Sequence, residues 1–155
     1  VLFNQPGIAT FVKNLPMLKH FKIKNLQLCC DESAGQILSL ESLELLGLRG
    51  NKWDEFMIFL RCIPNLRALE FASCRTHGLD LRLHSLATAC PKLTVIKLTN
   101  NRTLNEEVLK RIVYEVKQLQ VLEVPLHSGH LKQLSDGAVS NLLGNATSII
   151  SLLGI

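Results

Sequence analysis

The chain has 155 residues, 47% of them hydrophobic and 19% charged, with a formal net charge of +4. That length fits one domain and that apolar share supports a continuous core, which excludes a disordered chain; the mild positive charge falls short of a concentrated nucleic-acid-binding face. No apolar stretch approaches the roughly 18 to 20 residues that a membrane-spanning helix needs, and Val1 to Thr10 lacks the charged start and long apolar middle of a secretory signal.

In chain order the first feature is a basic run, Lys13, Lys19, Lys22 and Lys24, with His20 among them. A solvated edge accounts for it more simply than an acidic partner does. A motif of apolar residues, spaced Leu-x-x-Leu-x-Leu, then recurs. It reads Leu18-Phe21-Ile23, Leu43-Leu46-Leu48 closing on Asn51, Leu66-Leu69-Phe71 closing on Cys74, Leu93-Ile96-Leu98 closing on Asn101, and Leu119-Leu122-Val124. Ile150-Leu153-Ile155 resembles the opening of a sixth. The first positions are 25, 23, 27, 26 and 31 residues apart (18 to 43, 66, 93, 119 and 150). Five successive matches at near-constant period mark a repeat architecture.

Between the motifs the apolar spacing changes from strand-like to helical. Trp53, Phe56, Met57, Leu60 and Ile63 form one stripe, and Leu104, Val108, Ile112 and Val116 another. Leu83, Leu86 and Cys90 form a shorter one, as do Val139, Leu142 and Leu143. Apolar positions three and four apart bury one side of a helix. Thr103 with Glu106 matches a capping box, and Ser135 suits the cap of the last helix. Pro16, Pro64 and Pro91 each stand two residues before a motif's first leucine and mark helix-to-strand corners.

One strand and one helix cannot bury their apolar faces alone, but stacked neighbours can. The expectation is therefore an α/β solenoid over residues 1–155, five repeats plus a partial sixth, with a parallel sheet on the concave side and helices on the convex side. Cys62-Ile63-Pro64-Asn65-Leu66-Arg67-Ala68-Leu69-Glu70-Phe71 and Cys90-Pro91-Lys92-Leu93-Thr94-Val95-Ile96-Lys97-Leu98 resemble leucine-rich repeats of the cysteine-containing subclass, and the full helices are similar to the ribonuclease-inhibitor-like one. The resemblance implies protein recognition, as in the substrate-binding repeats of F-box ubiquitin-ligase receptors. Asn51 and Asn101 depart from it where a closing cysteine would stand, and no F-box occurs in these residues. The ligand-sensing repeats of an intracellular innate-immune receptor are the alternative.

In such a motif the leucines point inward and their neighbours outward. Three outward rows follow: His20, Leu45, Ala68, Val95 and Val121; Lys22, Gly47, Glu70, Lys97 and Glu123; Lys24, Arg49, Ala72, Thr99 and Pro125. The first row is mostly apolar and the second alternates in sign, features of a protein-binding surface, although small and β-branched residues also simply suit strands. Leu45, Arg49, Glu70, Val95, Lys97, Val121 and Glu123 are the candidate protein-binding residues.

Candidate chemistry is sparse. The five cysteines, Cys29, Cys30, Cys62, Cys74 and Cys90, form no Cys-x-x-Cys pair, and buried thiols explain them better than a metal does. Their odd number and the absence of a terminal cluster point to reduced thiols in a cytoplasmic or nuclear protein. Asn101-Arg102-Thr103 and Asn145-Ala146-Thr147 match the glycosylation sequon by chance frequency. His127-Ser128-Gly129-His130 reads as a loop, and Trp53, opening a helical stripe, as packing. Asn51 and Asn101 suit backbone-satisfying roles in the strand-to-loop turn. No nucleophile elbow or phosphate loop occurs, so no enzyme, metal or cofactor is expected, and neither is a nucleic-acid or membrane partner. Both ends lack polar caps; self-association, notably along the apolar final strand Ile149 to Ile155, is expected, as is membership of a larger array.

Overall fold

Six short strands lie side by side in one all-parallel sheet, in chain order. A computed structural model describes residues 8–24, 35–47, 52–74, 82–99, 106–124 and 151–154. The strands are β1 (His20–Lys24), β2 (Ser42–Leu46), β3 (Ala68–Ala72), β4 (Val95–Thr99), β5 (Val121–Val124) and β6 (Ser151–Gly154). The helices are α1 (Ile8–Lys13), α2 (Lys52–Arg61), α3 (Leu83–Ala89) and α4 (Glu106–Glu115). Helices α2, α3 and α4 stand between successive strands from β2 to β5 as the change of apolar spacing predicts, α2 packing on α3 and α3 on α4.

Each strand is too short to stand alone. The starts of β2 to β5 are each fixed by the carbonyl just ahead of the preceding strand, which accepts two N–H groups. The Lys19 carbonyl accepts from Glu41 and Ser42 at 2.9 and 3.0 Å, and that of Glu41 from Arg67 and Ala68 at 2.8 and 3.1 Å. The Arg67 carbonyl accepts from Thr94 and Val95 at 2.9 and 3.0 Å, and that of Thr94 from Gln120 and Val121 at 2.8 and 3.0 Å. The corners ahead of β1, β3 and β4 are turns at Pro16, Pro64 and Pro91, and the one ahead of β5 is a turn at Lys117-Gln118 without a proline. Corner side chains bind back to the preceding repeat: Asn65 Nδ2 donates to the Leu38 carbonyl at 2.9 Å and Gln118 Nε2 to that of Cys90 at 3.2 Å.

The core runs the length of the stack as apolar columns. Leu40, Leu66, Leu93 and Leu119 form one; Leu43, Leu69, Ile96 and Leu122 a second; Ile23, Leu45, Phe71, Leu98 and Val124 a third, all buried. Trp53 belongs to the packing, as its stripe predicts. Its ring centroid lies 5.9 Å from that of Phe56 and 5.4 Å from that of Phe71, clamping α2 onto β3. Outside the core, Arg82 donates from Nε and Nη2 to Asp54 Oδ1 at 2.9 and 2.6 Å, joining the starts of α2 and α3.

The register corrects two frames. β1 aligns Phe21 with Leu43 and Ile23 with Leu45, and β3 aligns Leu69 and Phe71 with the same two residues. The second repeat is therefore Leu40-Leu43-Leu45, not Leu43-Leu46-Leu48. Leu45 is 1% exposed in the core and not on the outward face. The shift of three is odd, and alternation along a strand turns every side chain to the other face under an odd shift. Gly47, expected mid-strand, is instead the left-handed residue just after β2, at φ +72°. Its N–H reaches the Ala72 carbonyl at 2.9 Å, and Ser73, at the matching place after β3 with φ +54°, reaches that of Thr99 at 2.8 Å. A side chain at Gly47 would strain that turn. In the sixth repeat Leu122 pairs with Leu152, one residue ahead of the expected frame. Thr103, Asn51, Asn101, Ser135, Cys29, Cys30 and the His127–His130 stretch lie outside the described residues.

The corrected frame sets apart two residues of β2. Leu45→Ala should lower the free energy of unfolding by about 2–5 kcal/mol, as for a core leucine, and Ser42→Ala by less than about 0.5 kcal/mol. Urea denaturation measures both; equal small effects would return Leu45 to the surface.

Candidate functional site

Alternation along five aligned strands builds a face directed away from the helices. Its first row is His20, Ser42, Ala68, Val95 and Val121; its middle row Lys22, Glu44, Glu70, Lys97 and Glu123; its third Lys24, Leu46, Ala72 and Thr99. Of the residues singled out from sequence, Glu70, Val95, Lys97, Val121 and Glu123 come together here, half-buried on β3, β4 and β5. Leu45 does not, for the reason given above. Arg49 lies outside the described residues.

Ser42, Glu44 and Leu46 take the places that the displaced frame gave to Leu45, Gly47 and Arg49. The stretch Leu38-Ser39-Leu40-Glu41-Ser42-Leu43-Glu44-Leu45-Leu46-Gly47-Leu48 satisfies both frames. The signal that separates them is Gly47, which the wrong frame sets inside a strand, where glycine weakens pairing.

Four of the five charges in the middle row pair across neighbouring strands. Lys22 Nζ lies 2.6 Å from Glu44 Oε1, and Lys97 Nζ lies 3.0 Å from Glu123 Oε1. Glu44 and Glu70 are abreast in the register. Like charges abreast are unfavourable. Lys22 answers the first carboxylate and the Thr99 hydroxyl donates to the second, Oγ1 to Oε1 at 2.9 Å. Beside this charged row Ala68, Val95 and Val121 form a shallow apolar strip on three successive strands. Such pairs at a partly exposed surface stabilise by up to about 1 kcal/mol each, so the row sets charge pattern and register more than fold stability.

The cysteines have no place on this face. Cys62, Cys74 and Cys90 are buried. The Cys74 thiol lies 3.6 Å from the Leu45 carbonyl and 3.4 Å from that of Ala72, closing the turn after β3. Burial pushes the Cys90 thiol from 9.0 up to about 12. A thiol so shifted stays protonated and is a poor nucleophile and metal ligand. Among the described residues no group of three or more His, Cys, Asp or Glu side chains is arranged to hold a metal, and no helix is long and apolar enough to cross a membrane.

No protein-family model and no curated protein matches the sequence. Among solved structures the chain is similar to the tropomodulin C-terminal domain of Caenorhabditis elegans, with a TM-score of 0.53 and 16% identity over 89% of this chain and 92% of that one. The fold is a leucine-rich repeat solenoid. At that identity the likeness is one of fold alone, and it bears on neither the cysteine-containing subclass nor the F-box resemblance.

The shifted thiol predicts a pH signature. The folded state holds the Cys90 proton more tightly than the unfolded state, so stability from this group is complete below pH 9 and falls as pH rises toward about 12. Cys90→Ala costs stability at neutral pH by leaving a cavity, and the gap from the parent chain should narrow above pH 9. Urea unfolding at stepped pH measures it; a constant gap from pH 8 to 11 contradicts thiol burial.

Proposed function

We propose that the chain is a protein-recognition module working through the outward face of β2 to β5. The observation that carries this reading is the apolar strip Ala68, Val95 and Val121 beside a row of charges largely paired on the sheet. A partner covering that face removes the apolar strip from water and meets a row in which four of the five charges are already paired. Apolar contact of this kind contributes roughly 25 cal/mol per Å² buried. The charges, fixed in sign and position, select the orientation of what docks.

The finer reading is substrate recognition for a ubiquitin ligase, supported by the cysteine-type segments Cys62 to Phe71 and Cys90 to Leu98. The odd number of cysteines and the lack of a terminal cluster of them suit the reducing cytoplasm or nucleus. An F-box in the same polypeptide supports this reading, and a Walker-type phosphate loop there favours the innate-immune alternative.

Quantitative affinity capture tests the proposal with three forms: parent, Val95→Glu with Val121→Glu, and the helix-face control Tyr114→Ala. Tyr114 is 69% exposed on α4, so its removal spares both core and sheet. The expected result is partners shared by parent and control and lost from the double variant, with thermal unfolding showing all three folded. Equal recovery by the double variant overturns the proposed face.

A further inference from the structure

The middle row of the outward face carries two lysines, Lys22 and Lys97, against three glutamates, Glu44, Glu70 and Glu123. In any sharing of the lysines the row is one positive charge short, on a chain whose net charge is +4. The structure puts the shortfall on β3. Lys22 Nζ is held by Glu44 at 2.6 Å and Lys97 Nζ by Glu123 at 3.0 Å. Glu70 stands between them, abreast of Glu44 on one side and of Lys97 on the other. Among the described residues its one hydrogen bond comes from the Thr99 hydroxyl, to Oε1 at 2.9 Å, and no cation lies within pairing distance. A neutral hydroxyl orients a carboxylate but does not cancel its charge.

The surroundings of Glu70 narrow what would answer it. Ala68 lies two residues earlier on the same side of β3, about 7 Å away along the strand. It is the smallest side chain of the first row, with Ser42 abreast on one side and Val95 on the other. Val121 carries the apolar strip on to β5. A metal ion does not suit the place, because one carboxylate supplies too few ligands and no further His, Cys, Asp or Glu among the described residues completes a set. A small ammonium ion would meet the charge and leave the strip in water. A lysine or arginine side chain uses both features: its methylene stem lies on Ala68 while its head reaches Glu70. Aliphatic neighbours of that residue then cover Val95 and Val121.

We propose that the outward face takes a basic, aliphatic segment of another protein, one lysine or arginine of which pairs with Glu70 across Ala68 while adjoining aliphatic side chains cover Val95 and Val121. This rests on the protein-recognition reading of the same face and adds the chemistry of the partner. The Thr99 hydroxyl, by holding Oε1, fixes the carboxylate before anything docks, so less freedom is lost on binding.

A phage-displayed library of random linear peptides supplies the probe. It is panned on three forms of the full chain: parent, Val95→Glu with Val121→Glu, and Glu70→Gln. The last keeps an oxygen for the Thr99 hydroxyl and removes only the charge; thermal unfolding verifies that all three are folded. The expected result is that peptides enriched on the parent, and not on the double variant, carry a lysine or arginine beside aliphatic residues. A synthetic copy of the most enriched peptide should bind Glu70→Gln about tenfold more weakly or worse. Changing its basic residue to methionine should weaken binding to the parent by a similar factor and hardly alter binding to Glu70→Gln, because the two changes remove the same contact. Equal affinity for parent and Glu70→Gln overturns the proposal and leaves the face reading standing, since the double variant still loses the peptide. Enrichment of acidic peptides on the parent, or of none, overturns it as well. The same peptides enriched on the double variant overturn the face itself, and this proposal with it.

Discussion

A five-residue parallel strand has no stability of its own, because its backbone groups and its apolar side chains are both satisfied only by the strands beside it. Here that dependence is concentrated where each strand begins. The carbonyls of Lys19, Glu41, Arg67 and Thr94 each accept two N–H groups from the next repeat, which fixes the position of that repeat to the residue. The apolar columns follow from this register. Leu43 lies between Phe21 and Leu69, and Phe71 between Leu45 and Leu98. A slip of one residue would exchange core and surface along a whole strand.

The same constraint gives the outward face its chemistry. Residues 22, 44, 70, 97 and 123 are distant in sequence and form one row because five strands share one register. Neighbouring strands lie about 4.8 Å apart, close enough for a lysine on one to reach a glutamate on the next. Lys22 and Lys97 do so. The row is thus a property of the stack and not of any single repeat, and it leaves Ala68, Val95 and Val121 as an apolar strip beside it. Burial of Cys62, Cys74 and Cys90 removes the thiols from this surface and gives them packing roles.

The alternation of strand and helix was legible in the sequence because period changes are strong signals: three apolar residues at fixed spacing, then a stripe such as Trp53, Phe56, Met57 and Leu60. Five of the seven candidate surface residues were legible for the same reason. Leu45 was not, because a leucine-rich segment satisfies two frames at once, and only pairing with Ile23 and Phe71 chooses between them. Gly47 carried the clue locally. Cross-strand partners such as Thr99 for Glu70 depend on side-chain reach, which spacing alone does not fix.

The central claim is that one register orders both core and outward face, and it is tested most directly on adjacent residues of β2. Leu45→Cys and Leu46→Cys variants, labelled in the folded state with a thiol reagent and read by peptide mass spectrometry, report which side chain faces solvent. The account predicts rapid labelling at position 46 and protection at position 45 until the chain unfolds. Protection at 46 with rapid labelling at 45 would contradict it, because that pattern belongs to the frame Leu43-Leu46-Leu48.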